Sequence, residues 1–219
     1  TRVALDGFAI DATEVTIGRF EEFATARKFT THAEVSGGGF EFAAGWEQRT
    51  GWTWKAPYGK RGSSDEPAVH ITWHEARAFC ASAGGRLPGL HEWRRAAYEE
   101  MRRAPTDGFE QGRSYAYPVG NNPDGMNTSG EDPWPRHAPA GVTKRGVNGL
   151  YDMGANVWEW LADRDGDTAL TAGGSWWYAA SRTRRDEAQF KPAGFAAVYI
   201  GFRCAYALDD AFAASRSRT

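Results

Sequence analysis

The densest group of oxygen donors lies in residues 149–160, where Asp152, Asn156 and Glu159 stand among Leu, Met, Val and Trp. Carboxylates and carboxamides mixed with backbone carbonyls are the donors that a hard divalent cation takes. The same carboxylates can also be satisfied by loop amides with no metal. The five histidines, His32, His70, His74, His91 and His137, show neither HExxH nor facial-triad spacing, so a zinc or nonheme iron centre is not expected. Cys80 and Cys204 are far apart and outside any CxxC pattern. That spacing argues against a thioredoxin-like or zinc motif and leaves a long-range disulfide or two buried thiols.

The elements that position these groups are set by an aromatic, glycine-rich composition: 26 Gly, 10 Trp and 8 Tyr in 219 residues. Permissive backbone positions pinned by large side chains suggest a loop-rich fold with some rings free for ligand contact. With 26 Lys+Arg against 28 Asp+Glu the net charge is −2, which gives no electrostatic basis for binding nucleic acid or coating an anionic membrane. No apolar run is long enough to span a bilayer. The chain opens at Thr1 without an initiator Met; a removed signal peptide is one explanation.

Thr16 caps an expected helix running to about Lys28, with Ile17, Phe20, Phe23 and Ala24 on one face. Thr72-Trp73-His74-Glu75 is a capping box that opens a helix burying Ala76, Phe79, Cys80 and Ala83 and ending at Gly84-Gly85. A further helix after Pro88 turns Leu90, Trp93, Ala97 and Met101 inward and leaves Arg94, Arg95, Glu99 and Glu100 outside. Residues 35–64 read as a long irregular loop, with Trp46, Trp52 and Trp54 either pinning it or walling a pocket. Residues 107–149 also read as loops, and strand-like pieces are expected at 174–178 and 197–203. The tail beyond Leu208 reads as frayed, and no linker divides the chain, so a single domain over 1–219 is expected.

Four segments, taken in order, resemble the formylglycine-generating enzyme domain, or sulfatase-modifying-factor family, which includes PvdO and ergothioneine-synthase branches. They are Phe8-Ala9-Ile10-Asp11-Ala12-Thr13-Glu14-Val15-Thr16; Pro67-Ala68-Val69-His70-Ile71-Thr72-Trp73, running on to Arg86-Leu87-Pro88 and Glu92-Trp93; Gly149-Leu150-Tyr151-Asp152-Met153-Gly154-Ala155-Asn156-Val157-Trp158-Glu159-Trp160; and Gly173-Gly174-Ser175-Trp176 with Gly201-Phe202-Arg203. The resemblance implies an α+β fold of C-type-lectin-like type, loop-rich, with small antiparallel sheets and a few helices. It also implies structural calcium. One site takes Asp152, the Ala155 and Val157 carbonyls and Glu159, and a second takes Asn127, the Thr128 carbonyl, Asp132 and the Trp134 carbonyl. The family has Gly where Ala155 stands. Cys80 and Cys204 fall on family positions that form a disulfide, which implies a periplasmic or secreted location.

The family's copper(I) chemistry uses two cysteines in the segment after Gly-Gly-Ser. Here Tyr178 and Thr183 occupy those positions, and neither can replace a thiolate at that soft ion. No formylglycine generation and no copper or iron are expected. The family's active-site face would then carry Trp158, Ser175 and Trp177 as substrate-binding residues and Tyr178, Arg184, Asp186 and Glu187 as catalytic residues. Aromatic walls with these charges suit a peptide-like or aromatic small molecule, and a buried carboxylate there would abstract a proton. Two functions are consistent with this: a PvdO-like enzyme in oxidative maturation of a pyoverdine-type siderophore chromophore, or a binding module without chemistry.

Overall fold

The structure, a computed structural model, describes residues 1–129 and 132–208. The tail expected to fray beyond Leu208 therefore lies outside the described residues. The chain starts with strands β1 (Arg2–Ala4) and β2 (Phe8–Asp11), which pair antiparallel with each other. Helix α1 (Ile17–Arg27) begins where the Thr16 hydroxyl accepts the Arg19 N–H and ends at Lys28, whose left-handed backbone stops the helix. Its residues Ile17, Phe20 and Ala24 share one buried face. Phe20 meets Trp54, Phe79 and Phe202 at centroid distances of 5.0, 5.7 and 6.4 Å, so one ring joins four chain segments in the core.

A short helix α2 (His32–Val35) leads to strands β3 (Phe40–Phe42) and β4 (Trp46–Gln48). These two form an antiparallel hairpin with Phe40 opposite Gln48 and Phe42 opposite Trp46. This corrects the expectation of an unbroken irregular loop over 35–64. Both strands are three residues long, Phe-Glu-Phe and Trp-Glu-Gln, too short to register as a period. Helix α3 (Trp73–Ser82) opens with the expected capping box. Its Cys80 forms a disulfide with Cys204, the Cα atoms 5.5 Å apart and the residues separated by 124 in sequence.

Helix α4 (Leu90–Tyr98) buries Trp93, Ala96 and Ala97. Glu100 corrects the expectation that it lies outside, because it is fully buried. The backbone turns extended at Glu99, and the Glu100 carboxylate then accepts bonds from Arg102 and the Asn148 N–H. The remaining strands are β5 (Trp158–Asp165), β6 (Thr168–Ala172), β7 (Gln189–Pro192), β8 (Ile200–Gly201) and β9 (Ala205–Ala207). β9 completes a sheet of order β1-β2-β9, and the others form one of order β7-β6-β5-β8.

The expected antiparallel character holds except between β5 and β8, which run parallel. Residues between them make the long crossover such a pairing needs. The strand expected at 174–178 is a turn, because Gly173 and Gly174 both take positive φ (99° and 76°) and break the extended run after β6. The fold is α+β, with small sheets, four α-helices and two short 3-10 helices among the described residues. No helix of the described residues is long and apolar enough to cross a membrane.

Candidate ligand site

The alternation of a strand decides where residues 158–160 point. Glu159 faces one side of β5. Its carboxylate accepts Arg203 Nη2 at 2.7 Å, Arg203 Nε at 2.9 Å and the Trp93 indole N–H at 2.7 Å. Trp158 and Trp160 face the other side, where the Trp160 indole donates to the Ile71 carbonyl at 2.9 Å. Trp158 carries an indole N–H that is buried with no partner.

Trp158 forms the floor of a cleft of about 400 Å³. Its walls are Trp46 from the β3–β4 hairpin, Tyr178 from the turn after β6, Phe190 from β7, and Phe195 and Tyr199 from the loop leading to β8. The rings touch one another. Trp46 lies 4.7 Å from Phe195 and 6.1 Å from Tyr199, and Trp158 lies 5.8 Å from Tyr178. Trp46, Trp177 and Phe190 remain 49%, 45% and 52% exposed, a large apolar exposure for residues that a packed core would cover.

The cleft holds one charged side chain, Lys191 of β7. Its ammonium sits 4.2 Å over the Trp158 ring and donates to Gln189 Oε1 at 3.2 Å. Burial pushes it down to about 8. The ring face offers a favourable cation–π contact, but no carboxylate pairs with Lys191 among the described residues.

Of the residues expected at the active-site face, Trp158 and Tyr178 line this cleft. Trp177 stands beside it, 5.8 Å from Tyr199. Ser175 is buried, its hydroxyl without a partner. Arg184, Asp186 and Glu187 do not line the cleft. Arg184 packs against Tyr117, with both Nε and Nη2 3.3 Å from the phenol oxygen, Glu187 pairs with Arg182 at 2.8 Å, and Asp186 is exposed. Lys191, Phe190, Phe195 and Tyr199 carried no motif of their own. The richness in rings is the one sequence signal for the three aromatic residues and gives none for Lys191, and for Trp46 the sequence leaves pin and pocket wall both open.

The expected calcium ligands fall in two places. Asp152 accepts the Thr143 hydroxyl and the Gly141 N–H. It is buried with Glu14 and Glu159. Desolvation raises all three carboxyls, and their mutual repulsion adds to it at Glu14, while Arg203 opposes it. Burial and like charge favour protonation of these carboxyls, and of the three only Glu159 is hydrogen-bonded to Arg203. Left-handed backbone at Asp152, Ala155 and Asn156 (φ 54°, 65° and 48°) coils this loop, which accounts for the family's Gly at 155.

At the other place Asp132 accepts the Thr128 and Trp134 N–H groups at 2.8 and 2.9 Å. The Asn127 amide nitrogen donates to the Arg136 carbonyl at 2.9 Å, while its Oδ1 is buried with no partner. An orphaned acceptor costs about 1–3 kcal/mol, and a hard cation is a fitting partner. Among the described residues no three His, Cys, Asp or Glu side chains converge as a metal set, so carbonyls and Asn127 would have to contribute.

Residues 1–208 match the model of the sulfatase-modifying factor enzyme 1-like domain. The chain belongs to this family. It is 32% identical over 194 residues to the mouse formylglycine-generating enzyme, an alignment covering 74% of this chain and 50% of that protein. It is 30% identical over 246 residues to the bovine inactive C-alpha-formylglycine-generating enzyme 2, covering 93% and 78%. The chain thus spans about half the length of the mouse enzyme. Among solved structures PvdO from Pseudomonas aeruginosa superposes with a TM-score of 0.67 at 18% identity, covering 92% of this chain and 80% of that one; this is a likeness of fold. Within the family this member has no catalytic cysteine pair, because its two cysteines are bonded to each other. At position 183 the Thr hydroxyl donates to the Ala180 carbonyl at 2.7 Å.

A ligand wall and a core floor respond differently to truncation. Trp158→Ala is expected to cost about 3–5 kcal/mol in urea unfolding, and Trp46→Ala less than about 1 kcal/mol. Equal costs would make Trp46 a structural pin.

Proposed function

We propose that this protein is a family member that does not generate formylglycine and that holds a small ring-bearing, peptide-like molecule in the aromatic cleft, on a C-type-lectin-like frame. The observation that carries this reading is the cleft itself, a cavity of about 400 Å³ with rings on every wall and three large apolar side chains left exposed around it. That volume suits a small organic ligand. The finer form of the proposal is a PvdO-like role, in the periplasm or secreted, in oxidative maturation of a pyoverdine-type siderophore chromophore. The PvdO likeness in fold, the disulfide and the missing thiolate pair support it, and it requires neither copper nor iron.

The lining also favours a second reading, a binding module without chemistry. No carboxylate lines the cleft, and the residues expected to supply one, Asp186 and Glu187, lie elsewhere.

Titration with N-acetyltryptophanamide and with N-acetyltryptophan, followed by calorimetry, is expected to saturate for at least one of them, with Trp46→Ala weakening that binding about tenfold. Saturable binding of neither, or no effect of Trp46→Ala, would contradict the cleft reading. Mass analysis of a bound peptide-like aromatic compound under air and under argon then separates the two forms. An oxygen-dependent product supports the enzyme, and an unchanged ligand supports the module.

Calcium at both loops belongs to the same proposal. Asp152 and Glu159 with the 155 and 157 carbonyls, and Asn127 and Asp132 with the 128 and 134 carbonyls, would hold it, tying loops to the sheet without entering the chemistry. Chelation is expected to lower the melting temperature by about 5–10 °C, with calcium restoring it, and Asn127→Ala should reduce the response. An unchanged melting temperature in protein that carries no calcium by elemental analysis would contradict this.

A further inference from the structure

The Lys191 ammonium is the one charge inside an otherwise aromatic cleft. Its surroundings offer little in exchange for lost water. One amide oxygen, Gln189 Oε1, accepts from it, and the Trp158 face lies beneath. An ammonium has three donors, so most of its hydrogen-bonding capacity has no protein acceptor among the described residues. The other titratable groups facing the cleft are the phenols of Tyr178 and Tyr199. The Tyr199 hydroxyl already exchanges bonds with the Phe42 backbone, both at 3.3 Å, and lies in the fields of Glu41 and Arg136. Burial raises the Tyr199 phenol, so it supplies no negative charge at neutral pH. Arginines and carboxylates elsewhere in the molecule mostly form pairs, as at Arg203–Glu159, Arg102–Glu100 and Arg182–Glu187.

We propose that the cleft is selective for an aromatic carboxylate, the ring lying among Trp46, Phe195 and Trp158 and the carboxylate bonded to the Lys191 ammonium. This rests on the reading that the cleft takes a ring-bearing ligand, and it names the charge that ligand carries. A desolvated cation awaiting its partner discriminates strongly. A ligand with a carboxylate meets it with a charge-assisted bond, whereas a neutral amide of the same shape leaves it unmatched. The rings fix position and the lysine fixes orientation. Burial has already pushed the ammonium down to about 8, so it is charged at pH 7 and progressively neutral above 8.

N-acetyltryptophan and N-acetyltryptophanamide have the same shape, and the amide replaces the charged carboxylate with a neutral carboxamide. At pH 7 the acid is expected to bind at least about tenfold more tightly than the amide. The advantage should fall as the pH is raised from 7 to 9.5. Lys191→Met should bring the two affinities to within about twofold, and Lys191→Arg should preserve the preference. The arginine variant and the pH series decide the question even if the methionine variant does not fold. Indole-3-acetate distinguishes the sources of the carboxylate. Tighter binding than N-acetyltryptophan indicates a free aromatic acid, and weaker binding a peptide carboxyl terminus; either order, with the acid preferred over the amide, upholds the assignment. Equal binding of acid and amide, or a preference that survives Lys191→Met, would overturn it and leave the aromatic-cleft reading standing. Binding of none of the three would remove the cleft reading and this inference with it.

Discussion

One fully buried guanidinium organises the molecule. Arg203 donates to Glu159 on β5, to the Asp11 carbonyl at the end of β2 and to the Tyr151 carbonyl in the coiled loop before β5. A buried guanidinium is tolerated only when its donors are met by well-placed acceptors, and here those acceptors come from three separate segments. Because Glu159 must face Arg203, strand alternation turns Trp158 and Trp160 to the opposite side. The floor of the cleft is thus fixed by an ion pair that never touches it. The adjacent Cys204 binds this segment covalently to α3, which limits how far the clamp can relax. In the chain-entropy account a loop of this length contributes about 4–5 kcal/mol.

The cleft is assembled from distant pieces on this frame. The β3–β4 hairpin brings Trp46, the turn after β6 brings Tyr178, the edge strand β7 brings Phe190 and Lys191, and the segment before β8 brings Phe195 and Tyr199. Most of these lie in turns or at strand edges. Such positions tolerate changes of side chain with little effect on the core, so one family frame can serve different ligands. At the positions that the resemblance assigns to the copper-binding thiolates, the structure has a phenol in the cleft wall and a hydroxyl bonded to backbone.

Features governed by neighbours in sequence were legible. The capping box at Thr72 and Glu75, the Thr16 cap and the Ile17–Phe20–Ala24 face are each decided within one or two helical turns. The family motifs placed the Asp152–Glu159 loop, and the disulfide forms between the two cysteines the resemblance pairs. The β3–β4 hairpin was hidden because three-residue strands carry almost no period. The expected strand at 174–178 failed because two consecutive glycines with positive φ end the extended run, which lies upstream as β6. Glu100 looked exposed on helical spacing, but the helix stops two residues before it. Lys191 was the least legible. Its importance depends on which carboxylates are absent around it, and that is set by chain segments far from it in sequence.

A crystal structure of the protein soaked with N-acetyltryptophan tests the central claim, that the aromatic cleft is the ligand site, most directly. The account predicts ring density among Trp46, Phe195 and Trp158, with the carboxylate within hydrogen-bond distance of Lys191 Nζ. A ligand bound against Arg184 and Glu187 instead, with the cleft empty, would contradict it.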